Sequence, residues 1–428
     1  MFSKKIILSI GGIVIFLILI SLLGWLLFIN GQKDELSQTA AGRGFGVNIP
    51  TFDSRAVGST NQNIKDVLLS GFGLSPNNGS EREDNDSSQL PRLWNPSPVP
   101  AAGIEIMGTG STTKIQFVER PSGNVFESFL LKGEIRRISN TLIPKVYRAF
   151  WGGEKTLVMQ HLDENNEVAT LLGTVQPAAT NTETSTERGV DGVFEASYLE
   201  PDVLSVSTTR DNDGIFYLVR TVNGAIGIRT NLEKTEAKRV FSSRVYGWQA
   251  RGINSKTTLL YQNPSQGVNG SAFLIDEDGN KTIVKSNIRG LIVTISRDLN
   301  NILYNSIVEG RISLFSETIG EEEKMLTLTT FAEKCVFNPQ NSFIAYCAVP
   351  REIPDTTLPD SWYRGEVHFS DDWWIIDIQN GSVEQLISPE SDYGIPIDVL
   401  DPKINSEGTH IVFLDARTRT PWVLRIVQ

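Results

Sequence analysis

Cysteine is scarce in this chain: two occur in 428 residues, Cys335 and Cys347, which leaves room for one intramolecular disulfide at most. Histidine is almost as rare. His161, His368 and His410 are the only three, and none belongs to a cluster with metal-ligand spacing. A surplus of cations is absent too. The 39 Lys and Arg against 50 Asp and Glu give a net charge of −11, which argues against nonspecific nucleic-acid binding because a phosphate backbone selects for basic residues. There is no Gly-x-Ser-x-Gly nucleophile elbow. The Gly-rich stretch Gly108-Thr109-Gly110-Ser111-Thr112-Thr113 lacks the lysine of a phosphate loop and reads as a turn before a strand. No catalytic constellation, metal set or cofactor motif is legible, so none is expected.

Long apolar runs are absent with one exception. Ile6 to Ile29 runs 24 residues without a charge, long enough to span a bilayer. It follows Lys4 and Lys5 and ends without a small-residue cleavage site, so it reads as an uncleaved signal anchor with residues 1–5 in the cytoplasm. The expected location is the cytoplasmic membrane, crossed once, with the rest of the chain outside. Residues 30–90 are polar and read as a flexible tether, of reach roughly 45 Å for a coil of this length.

What dominates residues 91–428 is a repeat. Short polar breaks interrupt β-type runs at Gly108-Thr109-Gly110, Gly152-Gly153, Asp211 to Gly214, Asn254 to Lys256, Asp298 to Asn300, Asn338 to Ser342 and Asn405 to Gly408. Four of the six intervals are about 42 residues, and the other two carry insertions. A second break follows each at roughly 11 residues, except where the longer insertion stands. Units of this period, built from short strands and tight turns, predict an all-β fold, a seven-bladed β-propeller, with six or eight blades as alternatives. Asp278-Gly279 and Asn223-Gly224 predict two-residue hairpin turns with positive φ at both positions.

The last repeat stops after its third strand, near Ile426, while the segment around Leu93 looks like an orphaned fourth strand. The expectation is that residues near Leu93 supply the outer strand of the last blade and close the ring.

The repeats resemble the TolB-type, WD40-like PD40 propeller unit, carried here by Asn338-Pro339-Gln340-Asn341-Ser342, Asn405-Ser406-Glu407-Gly408 and Ser296-Arg297-Asp298-Leu299-Asn300. A second resemblance is to single-pass, membrane-anchored propellers of Parcubacteria-type candidate-phylum bacteria. It rests on stretches such as Val118-Glu119-Arg120-Pro121-Ser122-Gly123 and Pro359-Asp360-Ser361-Trp362-Tyr363. These resemblances imply fold and topology, and no activity.

Cys335 and Cys347 flank the Asn338 to Ser342 turn. Opposite each other across a hairpin they form a disulfide; the alternative is two buried thiols. The candidate binding surface is the insertion Pro350 to Trp374, with Asp360, Trp362, Tyr363, Arg364, His368 and Asp371 as site residues. Aromatics beside carboxylates suit a glycan or a protein hot spot. Against that, Trp373 and Trp374 would simply open a strand, with one of them buried between blades, and Trp362 would plug the fold locally. Asp371 and Asp372, as strand neighbours, point to opposite faces and make poor acid/base partners. Asp276-Glu277-Asp278-Gly279-Asn280 has a calcium-loop look but reads as a hairpin turn. The composite expectation is a membrane-tethered, non-catalytic binding propeller for an envelope protein or glycan. The alternatives are a glycan-processing enzyme with its site at the propeller channel, and a part of a secretion or pilus machine.

Overall fold

The computed structural model describes residues 90–153, 156–176, 192–209 and 212–426. The anchor, the tether and most of the Gln176 to Val190 insertion lie outside the described residues. Among the described residues no helix is long and apolar enough to cross a membrane.

The strands form seven four-stranded antiparallel sheets. After β1 (Leu93–Trp94), blade one holds β2 (Ala101–Met107), β3 (Lys114–Glu119), β4 (Val125–Phe129) and β5 (Ile135–Arg137). Blade two holds β6 (Val146–Gly152), β7 (Thr156–Leu162), β8 (Val168–Gln176) and β9 (Val193–Tyr198). Blade three follows with β10 (Val203–Thr209), β11 (Asn212–Thr221), β12 (Gly224–Thr230) and β13 (Lys238–Ser243). Blade four has β14 (Trp248–Gly252), β15 (Thr258–Gln262), β16 (Asn269–Ile275) and β17 (Lys281–Arg289). Blade five has β18 (Val293–Ile295), β19 (Asn301–Val308), β20 (Arg311–Thr318) and β21 (Lys324–Met325). Blade six has β22 (Cys335–Asn338), β23 (Asn341–Pro350), β24 (Asp371–Asp377) and β25 (Ser382–Ile387). Blade seven has β26 (Val399–Ile404), β27 (His410–Asp415) and β28 (Pro421–Arg425), and its fourth strand is β1. Leu93 pairs with Leu424 and Trp94 with Val423, so the two ends of the domain share one sheet and the ring is closed, as expected.

Seven apolar clusters fill the seven gaps between blades. Ile302 and Tyr304 of β19 face Leu259 and Ala272 of blade four, while Leu303 faces Ala345 and Cys347 of blade six. Leu157 and Val158 divide in the same way between blades one and three. Middle strands are thus buried on both faces, and their apolar runs do not alternate. The first strands of successive blades lie side by side around the axis. At Gly103 of β2 a Cβ would stand 2.3 Å from the Ala149 carbonyl oxygen of β6, so only glycine permits that approach.

Two expected turns differ. Asn223-Gly224 is not the hairpin loop: Thr221 pairs with Gly224, so the loop is Val222-Asn223, and only Gly224 has positive φ. Its glycine is demanded by space, since a Cβ would meet the Ser243 carbonyl oxygen at 2.1 Å. At Asp278-Gly279 the loop spans five residues. The Asp276 carboxylate accepts the Asp278 and Asn280 N–H groups, and Gly279 alone is left-handed. Asx capping by Asp276 replaces the two-residue geometry, because its side chain satisfies the donors that a tighter turn would leave to the backbone.

Cys335 and Cys347 sit directly opposite each other on β22 and β23 and are disulfide-bonded. In the same blade, Trp373 is fully buried against Phe413 of blade seven, and Trp374 packs on the other side toward blade five.

Candidate functional site at the insertion face

Antiparallel pairing puts the second-to-third strand loops and the blade-to-blade connections on one face of the ring. On that face the β23–β24 insertion folds over its neighbours. Its short helix α1 (Asp360–Tyr363) is tied down at a distance: the Asp360 carboxylate accepts the Gln266 N–H of blade four at 2.8 Å, and the Gln266 amide donates to the Gly310 carbonyl of blade five at 2.9 Å. A segment that leaves blade six is therefore latched to blade four across blade five.

The six sequence-nominated residues do not share one exposed patch. Trp362 is buried among Phe331 and Phe369, and Asp371 is fully buried. Tyr363 is 42% exposed and donates from its hydroxyl to Glu333. Arg364 pairs with Glu366 at the rim. His368 has its Nδ1 3.3 Å from Asp398 Oδ2. Asp371 and Asp372 do point apart: Asp372 accepts from Ser388 and Gln385, while Asp371 turns inward.

Asp371 turns toward Lys334, a residue that sequence reasoning passed over. Lys334 ends a 3-10 turn, Ala332–Lys334, just before β22, and its side chain is 1% exposed. Its Nζ lies 2.6 Å from Asp371 Oδ2 and 2.6 Å from Asp398 Oδ1. The ammonium also stands 4.7 Å from the Phe369 ring centroid and 5.1 Å from that of Trp362. Trp362 Nε1 donates to both oxygens of Asp398, and the Val399 N–H donates to Asp371 Oδ2 at 2.7 Å. Asp371 Oδ1 is buried with no hydrogen-bond partner. Burial pushes the Asp371 carboxyl up to about 6, against the pull of Lys334 and with a further push from Asp398. The only local sign of this cluster was a lysine set against an apolar strand start, in Phe331-Ala332-Glu333-Lys334-Cys335-Val336-Phe337.

Beside the cluster, charged groups converge on the axis from separate blades. Arg251 of β14 loses charge stability to burial but regains more from Tyr261, Asp401, Glu333 and Tyr363, so its pKa is raised. Tyr261 of β15 is raised by burial while sensing Arg251, Glu333, Arg148 of β6 and Asp401 of β26. Burial raises Glu333 as well, although Tyr363 and Arg251 oppose it. Although part of its side chain is exposed, the Tyr363 hydroxyl is held well above the usual phenol range by desolvation and by Glu333, to which it is hydrogen-bonded. Asp401 has φ 50 and sits in a register shift between Leu400 and Lys403. Lys403, at the end of that shift, spans to Glu105 and the Ile104 carbonyl of blade one. Arg419 is lowered by burial and by Arg120 and Arg148, against the pull of Asp398 and Asp415. Among the described residues no group of His, Cys, Asp and Glu could hold a metal ion.

No known family model matches the chain, and no curated protein matches it in sequence. Solved structures of similar architecture include TolB from Acinetobacter baumannii, with 13% identity over 66% of this chain and 78% of that one at a TM-score of 0.40. The WD40 domain of Neurospora crassa Pan2 has 11% identity over 78% of this chain and 96% of that one at a TM-score of 0.48. An oligogalacturonate lyase in complex with manganese has 11% identity, coverage of 77% and 97%, and a TM-score of 0.47. These likenesses are of fold alone, and nothing among them bears on the resemblance to Parcubacteria-type propellers. The chain is a seven-bladed β-propeller.

Proposed function

We propose that this chain is a binding propeller, tethered by its N-terminal segment to the outer face of the cytoplasmic membrane, that holds an envelope protein or glycan at the insertion face. The observation that carries this reading is the latch from Asp360 to Gln266, which fixes Tyr363 beside Glu333 at a mouth where Arg251 and Asp401 also converge. Rigid placement of an exposed aromatic next to paired charges is the anatomy of a recognition hot spot. The test is cross-linking of the full-length protein in source membranes, then capture and mass spectrometry. One dominant envelope partner, lost from Tyr363→Ala and Arg251→Ala proteins that still fold, is the expected result. Recovery of the same partner with both variants sinks the reading.

A second reading, a glycan-processing enzyme, is favoured by one observation: burial raises the Glu333 carboxyl, with a further push from the Asp401 carboxylate. A raised carboxylic acid opposite a second carboxylate is what glycoside hydrolysis uses. Turnover of a cell-wall glycan by the full-length protein, abolished by Glu333→Gln, would put this reading first.

A further inference from the structure

Lys334, Asp371 and Asp398 are an unusual set to find in the wall between two blades. A lysine and two aspartates are almost wholly excluded from water, and the pair is closed in by the Trp362 and Phe369 rings. Ion pairs so buried lose most of their Coulombic gain to desolvation. In such a place a proton can pass within the pair, because a neutral pair is easier to keep out of water than two charges. The raised Asp371 carboxyl agrees with this.

We propose that Lys334 and Asp371 join in an intramolecular isopeptide bond, with Asp398 as the proton carrier, so that blade six is cross-linked by its own side chains. The reactants are in contact, with Nζ 2.6 Å from Asp371 Oδ2, and both sit on backbone that cannot drift: Asp371 opens β24 and Lys334 precedes β22. Such fixed contact is worth an effective concentration on the order of 10⁵ M or more. The steps balance without a co-reactant. One proton passes from the Lys334 ammonium to Asp371 Oδ2, the oxygen that it touches, leaving an amine and a carboxylic acid. The nitrogen lone pair adds to Cγ of Asp371, and the carbonyl electron pair moves onto Oδ1, which has no hydrogen bond to lose. Asp398, which touches Nζ at 2.6 Å, takes a proton from the nitrogen as the C–N bond forms and gives it to the Oδ2 hydroxyl, which is hydrogen-bonded to the same nitrogen donor. The Oδ1 carbonyl re-forms as the Cγ–Oδ2 bond breaks, and Oδ2 leaves as water. An ammonium and a carboxylate become an amide and one water, and the charge of the cluster is unchanged. Asp398 keeps its two Trp362 Nε1 contacts throughout.

The experiment is intact-mass measurement of the folded full-length protein after denaturation and reduction, followed by tandem mass spectrometry of its peptides. The expected mass is lighter than the sequence by one water, with the loss mapped to a branched peptide that joins Lys334 to Asp371. Lys334→Arg preserves the charge and cannot form the bond, so its mass should match its sequence. Asp398→Asn, of the same shape, should lose most of the cross-link while keeping the fold. A wild-type mass equal to the sequence overturns the proposal. So does a water loss that maps elsewhere, for example to a succinimide at Asp278-Gly279, or one that persists in Lys334→Arg. This outcome is independent of what the channel mouth binds.

Discussion

Trp94 lies opposite Val423, and the Arg425 N–H donates to the Arg92 carbonyl at 2.8 Å, so a strand from the start of the domain is the outer strand of its last blade. The join makes ring closure depend on two segments more than 300 residues apart in sequence. Leu93, 5% exposed, is packed with Leu424 and Trp422. Leu93→Ala is expected to lower unfolding free energy by about 2–4 kcal/mol in urea titration. Leu131→Ala, at a position 68% exposed, should change it by about 0.5 kcal/mol or less. Equal effects would mean that the closure is not cooperative with the rest of the ring.

Trp373 should be the more costly of the adjacent tryptophans. It is fully buried against Phe413 between blades six and seven, whereas Trp374 is only partly buried. Trp373→Ala is expected to cost about 3–5 kcal/mol, and Trp374→Ala distinctly less, by the same titration.

The Cys335–Cys347 disulfide closes a loop of sequence separation 12. Removing it as Cys335→Ala/Cys347→Ala should cost about 3 kcal/mol by the loop-entropy account, read as a lower midpoint in guanidinium. The double variant should still fold, because both positions remain apolar and buried in the blade.

Glu333 gives a pH signature with a definite sign. Its carboxyl is held above its ordinary 4.5 by burial. The folded protein therefore keeps that proton more tightly than the unfolded chain, and stability from this group falls as pH rises from 4.5 through the folded value. Glu333→Gln should flatten the fall. Tyr363→Phe removes a hydrogen bond that opposes the upward shift, so it should move the carboxyl titration higher, as followed by isotope-edited infrared or NMR.

Much of the architecture was legible because its causes are local. Each turn between strands must break an apolar run, and a blade repeats its turns at nearly constant spacing, so the breaks at Asp298 to Asn300 and Asn405 to Gly408 are readable one by one. The missing fourth strand was legible as arithmetic, three strands from Val399 onward against four in each other blade. Turn type was less so: Asn223-Gly224 looks like a hairpin loop by propensity, yet the register and the nearby Ser243 carbonyl decide it. In the insertion, composition does not say what each residue faces. Trp362 and Asp371 look like surface chemistry as letters, and both are interior.

The sequence by itself determined the repeat, the strand-and-turn grammar and the need for closure, since these follow from periods of two and about forty residues. Tertiary structure alone decided that Lys334 meets Asp371 and Asp398, and that Arg148, Arg251, Glu333 and Asp401 all come within electrostatic range of Tyr261. Those residues are scattered over blades two, four, six and seven with no common spacing. What brings them together is the closing of the ring, which turns distant positions into neighbours across an axis and makes an ordinary charged residue a buried one.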